Sequence, residues 1–405
     1  MKIMWHSVPS EIKTGYGVLT KMFTSRLKKL GLEVIIASTS ENKRNYVNSD
    51  GIQTLGKYGA PDDYGCRWLY EHYRHYQPDI VLSGTDPFTY DINVLRKLPN
   101  WASWVVIDST PLNPVIAERL IFAKTLLAPS KFAQQTLKQV GFDSLYVPYA
   151  VDPVDYYPIA KGEAREQLSS DTGKDLENKF FVSTVAANIP NNGRKNFEKM
   201  FEIWGRFIKT HPDAVLYVHS MVSDEFGGLR LYRLQKFFGI PDENIIFAPQ
   251  YHYKTGMLDE SFLRLIYSAS DCYFQPTKGE GFGLPVVEAQ RCGTPIVATD
   301  CSTMPELCFG GQLVRGTPVM TKYETYWVDI DTEEALKALE HMYERKDVLE
   351  LRELALLGAR EYDVDNVLEK YMKPALDKIL DMPNVYEEDS TVLKDKFTKK
   401  QGERL

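Results

Sequence analysis

Two glutamates, Glu280 and Glu288, bracket a glycine-rich turn in the run Gly279-Glu280-Gly281-Phe282-Gly283-Leu284-Pro285-Val286-Val287-Glu288. Gly281 and Gly283 permit close backbone approach and unusual dihedrals, and Pro285 suits a first helical turn, where its missing N–H costs little. Asp271 to Gln275, just ahead, reads as a strand, so the segment reads strand, turn, helix, with the helix starting near Leu284. Bare amides and the positive end of a helix dipole at such a turn attract phosphate without needing a lysine, and a diphosphate is the natural occupant. Glu288, about one turn into the helix, points back toward the same crevice and can accept two hydrogen bonds from ribose hydroxyls. Glu280, ahead of the turn, lies nearer any sugar attached to the diphosphate. Two carboxylates at this spacing could also serve acid–base hydrolysis, which needs a second face and a positioned water. The glycines between them favour the phosphate reading over that one, and over a plain strand-to-helix turn with solvated glutamates.

A departing diphosphate develops negative charge that cations stabilise. Gly193-Arg194-Lys195-Asn196 follows the strand-like run Phe180 to Ala186, which makes Lys195 and Arg194 candidates. Arginine's fork suits paired phosphate oxygens, whereas the plainer reading of both is a solvated loop ahead of a helix. Gly15-Tyr16-Gly17 follows the first strand-like run, and either a ligand-facing loop or an ordinary turn accounts for its glycines. Asp108, in Ile107-Asp108-Ser109-Thr110-Pro111, and Asp86, in Gly84-Thr85-Asp86-Pro87, also follow apolar runs, and each can equally be a loop cap. His219 and His6 end strands, but a lone histidine there is more often structural, and both stay outside the core of the site.

The elements that must hold these residues alternate between short apolar runs and helical-period segments, the pattern of parallel sheets covered by helices on both faces. A first series comprises Lys2 to Trp5, Glu33 to Ser38, Asp79 to Ser83, Ser103 to Ile107, Thr125 to Ala128 and Leu145 to Val147, with amphipathic stretches such as Val18 to Leu30 between them. A polar passage from Pro153 to Lys179 follows. A second series runs through Phe180 to Ala186, Ala214 to His219, Ile245 to Ala248, Asp271 to Gln275 and Pro295 to Ala298. The expected division is a first domain over 1–179, a second over 180–360, a carboxy-terminal helix over 361–381 packing back on the first domain, and a charged tail over 382–405 whose last twenty or so residues are disordered.

Composition bounds the remaining classes. The chain has 405 residues, enough for two domains, with 43% hydrophobic and 25% charged residues. A formal net charge of −7 gives no global positive field for nucleic acid or acidic lipid. The five cysteines form no C-x-x-C pair, so neither a disulfide framework nor a zinc site is expected, and a reducing compartment suits them. No apolar stretch approaches the roughly 20 residues that cross a bilayer.

Glu280 to Glu288 resembles the Glu, seven residues, Glu signature of retaining glycosyltransferase family 4. The similarity continues through Leu265 to Asp271, Ala289 to Thr299 and Gly310-Gly311, and earlier through Ala128-Pro129-Ser130-Lys131-Phe132 and Val147 to Asp152. The resemblance implies an α/β architecture of the GT-B type: two Rossmann-like domains with parallel sheets facing a central cleft. It also implies that Glu280 contacts donor-sugar hydroxyls, that the amides around Phe282, Gly283 and Leu284 hold phosphate or sugar, that Glu288 holds ribose, and that Gly15 and Gly17 approach the reacting sugar and diphosphate. Lys195 matches the family's lysine. The family's arginine, about six residues earlier, is absent where this chain has Asn188 and Ile189, and Arg194 is the substitute. The family's histidine after the fourth strand of the first domain is absent too, and Asp108 is the nearest polar candidate.

The function this implies is retaining transfer of a hexose from a UDP- or GDP-sugar to an acceptor hydroxyl, with the departing phosphate oxygen as base and closure over the acceptor excluding water. No cofactor and no metal are expected, since Lys195, Arg194 and helix amides can neutralise the diphosphate. The partners are a nucleotide-sugar donor and a glycan, lipid-linked or small-molecule acceptor; the acidic balance disfavours nucleic acid as acceptor, and the expected location is the cytoplasm. Rival readings are a sugar-nucleotide epimerase or phosphorylase on the same fold, and a catalytically silent nucleotide-sugar-binding protein.

Overall fold

The computed structural model describes residues 1–40, 44–58, 64–189 and 193–385. The expected disordered tail, 386–405, lies outside the described residues. The chain divides into two compact units: Met1–Ala150 with Lys322–Thr325 and Val364–Leu405, and Val151–Thr321 with Tyr326–Asp363.

The first unit holds an eight-stranded sheet built from β1 (Lys2–Ser7), β2 (Glu33–Ser38), β3 (Tyr46–Val47), β4 (Gln53–Leu55), β5 (Ile80–Ser83), β6 (Trp101–Trp104), β7 (Thr125–Ala128) and β8 (Leu145–Tyr146). Its order is β3-β4-β2-β1-β5-β6-β7-β8, with every pairing parallel except β3 with β4. The order reverses between β1 and β5. Parallel strands buried on both faces need continuous apolar runs, and Ile3, Met4, Ile36, Val81, Leu82 and Trp104 are all buried. The fourth long strand falls at Trp101–Trp104 rather than at the expected 103–107, because Trp101 Nε1 donates to Ser83 Oγ and Trp104 Nε1 to the Val147 carbonyl, pinning both indoles inside the sheet layers. Within this unit the carboxy-terminal segment is a broken helix, Val364–Val367, a π turn over Leu368–Met372, then Lys373–Asp381.

The second unit has a six-stranded, wholly parallel sheet of β9 (Phe180–Val185), β10 (Ala214–His219), β11 (Ile245–Phe247), β12 (Cys272–Gln275), β13 (Ile296–Thr299) and β14 (Gly311–Val314). Its order is β11-β10-β9-β12-β13-β14, so this sheet reverses between β9 and β12. Alternate residues feed opposite cores: Phe180, Val182, Leu216 and Val218 pack on one face, and Phe181, Val215 and Tyr217 on the other. A hairpin of β15 (Gly316–Met320) and β16 (Tyr326–Ile330) follows β14 and has no counterpart in the sequence expectation.

The units divide at Ala150–Val151, earlier than the expected 179. The cause is the helix Lys161–Thr172, whose Ala164 and Leu168 are buried with Phe181 and Val215. Asp271, its side chain fully buried, fastens that helix: its carboxylate takes Arg165 Nη2 at 2.5 Å, Lys161 Nζ at 3.1 Å and the Phe181 amide at 2.8 Å. Arg165 gives three further donors to the carbonyls of Ala269, Glu177 and Lys179. Removing one partner of a buried pair leaves an uncompensated charge. Arg165→Met is therefore expected to lower the unfolding free energy by about 3 to 5 kcal/mol in urea titrations followed by circular dichroism; a loss under about 1 kcal/mol would contradict this role.

Candidate active site

In an open parallel sheet, ligands gather beyond the carboxyl ends of the strands where the order reverses. In the second unit that point lies between β9 and β12. The connection leaving β9 carries Arg194 and Lys195 into the helix Phe197–Phe207, and the connection leaving β12 carries Glu280 into the helix Leu284–Arg291. The two are stitched together: the Lys278 amide donates to the Arg194 carbonyl at 2.8 Å, as does Thr277 Oγ1 at 3.1 Å. Asn196, held at φ 58°, reaches from the first connection to the Pro276 carbonyl at 3.0 Å and to Asp329 of β16 at 2.8 Å. The Val328 amide donates to the Lys278 carbonyl at 2.9 Å. The unforeseen hairpin thus braces both connections.

This brings three of the expected residues into one cluster. Glu280 is only 6% exposed. Its Oε1 takes Lys195 Nζ at 2.5 Å and Gln275 Nε2 at 3.0 Å, and its Oε2 takes Arg194 Nη1 at 3.0 Å. Burial pushes its pKa up, but the charges of Lys195 and Arg194, with their hydrogen bonds, override burial and hold it near about 2. One anion between two cations leaves a net charge of about +1, the sign a phosphate selects. A carboxylate has about four lone-pair sites, and three are taken here, which leaves capacity for one further donor such as a sugar hydroxyl. Gln275, the last residue of β12, went unnoticed in the sequence, where a buried glutamine at a strand end carries no signal.

The bend that follows is tightly supported. Gly281, Phe282 and Gly283 are buried, Gly283 sits at φ 105°, and the helix begins at Leu284 with Pro285 in its first turn and no side chain capping it, as the sequence implied. A β-carbon on Gly283 would lie 2.8 Å from Met304 Cε. The Glu280 amide donates to Ser302 Oγ at 2.8 Å, and Thr303 Oγ1 donates to the Phe282 carbonyl at 2.6 Å. The connection after β13 therefore fixes the shape of the bend.

Glu288 differs sharply from Glu280. It is 8% exposed, and its Oε2 accepts the Tyr267 hydroxyl at 2.9 Å. Burial is the main cause that lifts its pKa to about 7; the neighbouring Glu260 and Asp155 add to it, while hydrogen bonds from Tyr267 and Tyr156 oppose it. The phenol uses one of the carboxylate's lone-pair sites, which leaves capacity for the two hydroxyls expected there. Beside Lys195 lies a cavity of about 290 Å³ lined in part by Asn188, Asn196, Glu198, Gly228 and Leu229. Asn188, which stands where an arginine was expected, is a buried clamp: Nδ2 donates to the carbonyls of Met221 at 2.9 Å and Leu229 at 2.7 Å, and Oδ1 accepts from the Leu229 amide at 2.8 Å.

The first unit places its candidates separately. Gly15, Tyr16 and Gly17 form the first turn of the helix Gly15–Lys29 rather than a loop. Thr14 caps that helix and accepts from the Gly17 amide at 3.2 Å, so that amide already has a partner. Gly17 is required by packing: a β-carbon there would lie 1.9 Å from the Ile12 carbonyl oxygen. At this sheet's reversal, between β1 and β5, Tyr16 donates its hydroxyl to Asp86 Oδ1 at 2.9 Å. Asp108 lies half-buried beyond the end of β6. Burial holds His6 down to about 3 and His219 down to about 4, both neutral and bonded to tyrosines, His6 to Tyr90 at 2.6 Å and His219 to Tyr217 at 3.1 Å.

Residues 193–344, which hold the whole Glu280 cluster, match the family model for glycosyl transferases group 1. The chain is 32% identical over 173 residues to the serotype-specific mannosyltransferase WbdA of Escherichia coli, a match that takes in 40% of this chain and only 20% of that protein. In structure it resembles sucrose-phosphate synthase from Thermosynechococcus elongatus, with a TM-score of 0.73 at 14% identity over 94% of this chain and 99% of the other. It also resembles Anabaena HepE, solved in complex with UDP and glucose, with a TM-score of 0.66 at 12% identity over 93% and 99%. The second unit therefore holds a region that matches the group 1 glycosyltransferase model, and the chain has the two-domain GT-B fold. Among the described residues no helix is long and apolar enough to cross a membrane.

The low pKa of Glu280 has a definite sign. A carboxyl that titrates at its ordinary 4.5 when unfolded and near about 2 when folded stabilises the fold fully above 4.5, and that contribution is lost as pH falls toward 2. Between pH 6 and pH 3 the wild type should lose about 2 kcal/mol that the Glu280→Gln variant does not lose. Parallel curves of unfolding free energy against pH for the two proteins would show that the cluster does not hold the carboxylate ionised.

Proposed function

We propose that the protein is a retaining glycosyltransferase that moves a hexose from a UDP- or GDP-sugar to an acceptor hydroxyl. The observation that carries this reading is the buried Glu280–Lys195–Arg194 cluster, net positive, set against an uncapped helix start at the sheet's reversal. The UDP and glucose held by the HepE neighbour and the mannosyl transfer named for WbdA agree with a nucleotide-sugar donor.

In this reading the second unit holds the donor. Lys195 and Arg194 stabilise the charge that develops on the leaving diphosphate, together with the amides at the start of the helix Leu284–Arg291. Glu280, kept anionic by the same two cations, accepts a donor-sugar hydroxyl on its remaining lone pair. Glu288 meets the ribose. The departing phosphate oxygen takes the proton of the acceptor hydroxyl on the same face of the sugar, so configuration is retained and no covalent enzyme intermediate forms. With two cations and a helix dipole at the diphosphate, a divalent metal is not required. The acceptor is a glycan, a lipid-linked sugar or a small molecule, and the first unit, whose reversal point carries Tyr16 and Asp86, is its natural host.

A panel of UDP- and GDP-sugars, scored for nucleotide release with and without oligosaccharide acceptors, tests the proposal. One donor is expected to release nucleotide in an acceptor-dependent way, with kcat unaffected by EDTA. Lys195→Ala is expected to lower kcat by about 100-fold or more, the scale of losing one preorganised charge at the transition state. Donor binding without acceptor-dependent release from any pair would instead favour a silent nucleotide-sugar-binding protein.

A further inference from the structure

Glu288 is embedded among phenols. Tyr267 is fully buried in the helix Glu260–Ala269, and its backbone is fixed there because its carbonyl accepts from Thr294 Oγ1 and from the Ser270 amide at 3.0 Å. Its ring packs edge-on to Tyr273 at 5.8 Å and tilted to Tyr156 at 6.2 Å. Tyr156, itself buried and tilted against the Tyr267 ring, is a second phenol whose influence lowers the Glu288 pKa. A hydroxyl that only needed burial could bond any backbone carbonyl; Tyr267 donates to the one acid expected to meet the ribose.

We infer that Tyr267, assisted by Tyr156, is a positioning residue for nucleotide binding, its phenol holding Glu288 in the orientation and charge state that accept ribose hydroxyls. The inference rests on the proposed donor site. The groups facing Glu288 make the charge state a close balance. Burial, Glu260 from the same helix as Tyr267, and Asp155 favour the neutral acid, while the two phenols favour the carboxylate. Tyr273 of β12 and Cys292, just beyond the end of the Glu288 helix, are close enough to feel its charge but are themselves pushed up by burial and stay neutral. Arg264 lies over the Tyr157 ring and donates to the Asp155 carbonyl at 3.0 Å. Ribose hydroxyls donate into Glu288, and only the ionised form accepts two of them while a phenol also donates. Nucleotide affinity should therefore rise with pH across the neutral range, and losing the Tyr267 hydroxyl should shift that rise upward.

The test is calorimetric titration of UDP and of GDP at pH 6, 7 and 8 into wild type, Tyr267→Phe, Tyr156→Phe and Glu288→Gln. The nucleotide's terminal phosphate titrates in the same range, so Glu288→Gln supplies the slope that is not due to Glu288. Relative to it, wild type should gain about tenfold in affinity from pH 6 to pH 8. Tyr267→Phe should bind about fivefold more weakly than wild type at pH 7 and recover most of that at pH 8, its midpoint moved up by about one pH unit. A loss equal at every pH, or no loss, overturns the inference. If Tyr267→Phe does not fold by circular dichroism, Tyr156→Phe decides: a shift in the same direction of about threefold supports it, and a profile identical to wild type overturns it. Wild type binding neither nucleotide refutes the donor site itself, an outcome distinct from a wild type that binds while Tyr267→Phe matches it.

Discussion

A buried carboxylate held between two cations is the constraint on which the rest of the second unit depends. Glu280 can stay ionised at 6% exposure only because Lys195 and Arg194 meet it, and they arrive on a different connection from its own. That requirement dictates the stitching between the two connections: the Arg194 carbonyl taken by Lys278, Asn196 reaching Pro276 and Asp329, and the Glu280 amide taken by Ser302. Without these bonds the desolvation of the charges would exceed what their attraction returns. The reversal of strand order between β9 and β12 brings the two connections side by side in the first place.

The same segment sets two acids to opposite tasks. Glu280 is held anionic by cations, whereas Glu288, eight positions on and also buried, has only phenols to oppose its desolvation, and its pKa is lifted to about 7. Environment rather than residue type separates them. One is suited to a fixed electrostatic role and the other to a hydrogen-bonding role that is sensitive to its neighbours.

Much of this was legible in the chain because its signals are local. The turn Glu280 to Leu284, the helix start beside Pro285 and strands such as Glu33–Ser38 and Ala214–His219 follow from short periodic runs and from glycine and proline chemistry. What escaped the sequence depends on partners far along the chain. Tyr267 meets Glu288 across 21 positions and Asn196 meets Asp329 across 133, and nothing in either neighbourhood announces the pairing. The helix Lys161–Thr172 looked like a linker because its sequence is polar, yet Arg165 and Asp271 bind it into the second unit's core. Gly15 to Gly17, open in the sequence between a ligand-facing loop and an ordinary turn, form a helix start whose capping threonine and close carbonyl lie outside the glycine pattern itself.

The most direct test of the account is a crystal structure of the protein with UDP or GDP bound. It should place the diphosphate within hydrogen-bonding distance of Lys195 and of the amides at Gly283 and Leu284, with the ribose hydroxyls on Glu288. A nucleotide lodged elsewhere, with the Glu280 cluster closed and untouched, would contradict it.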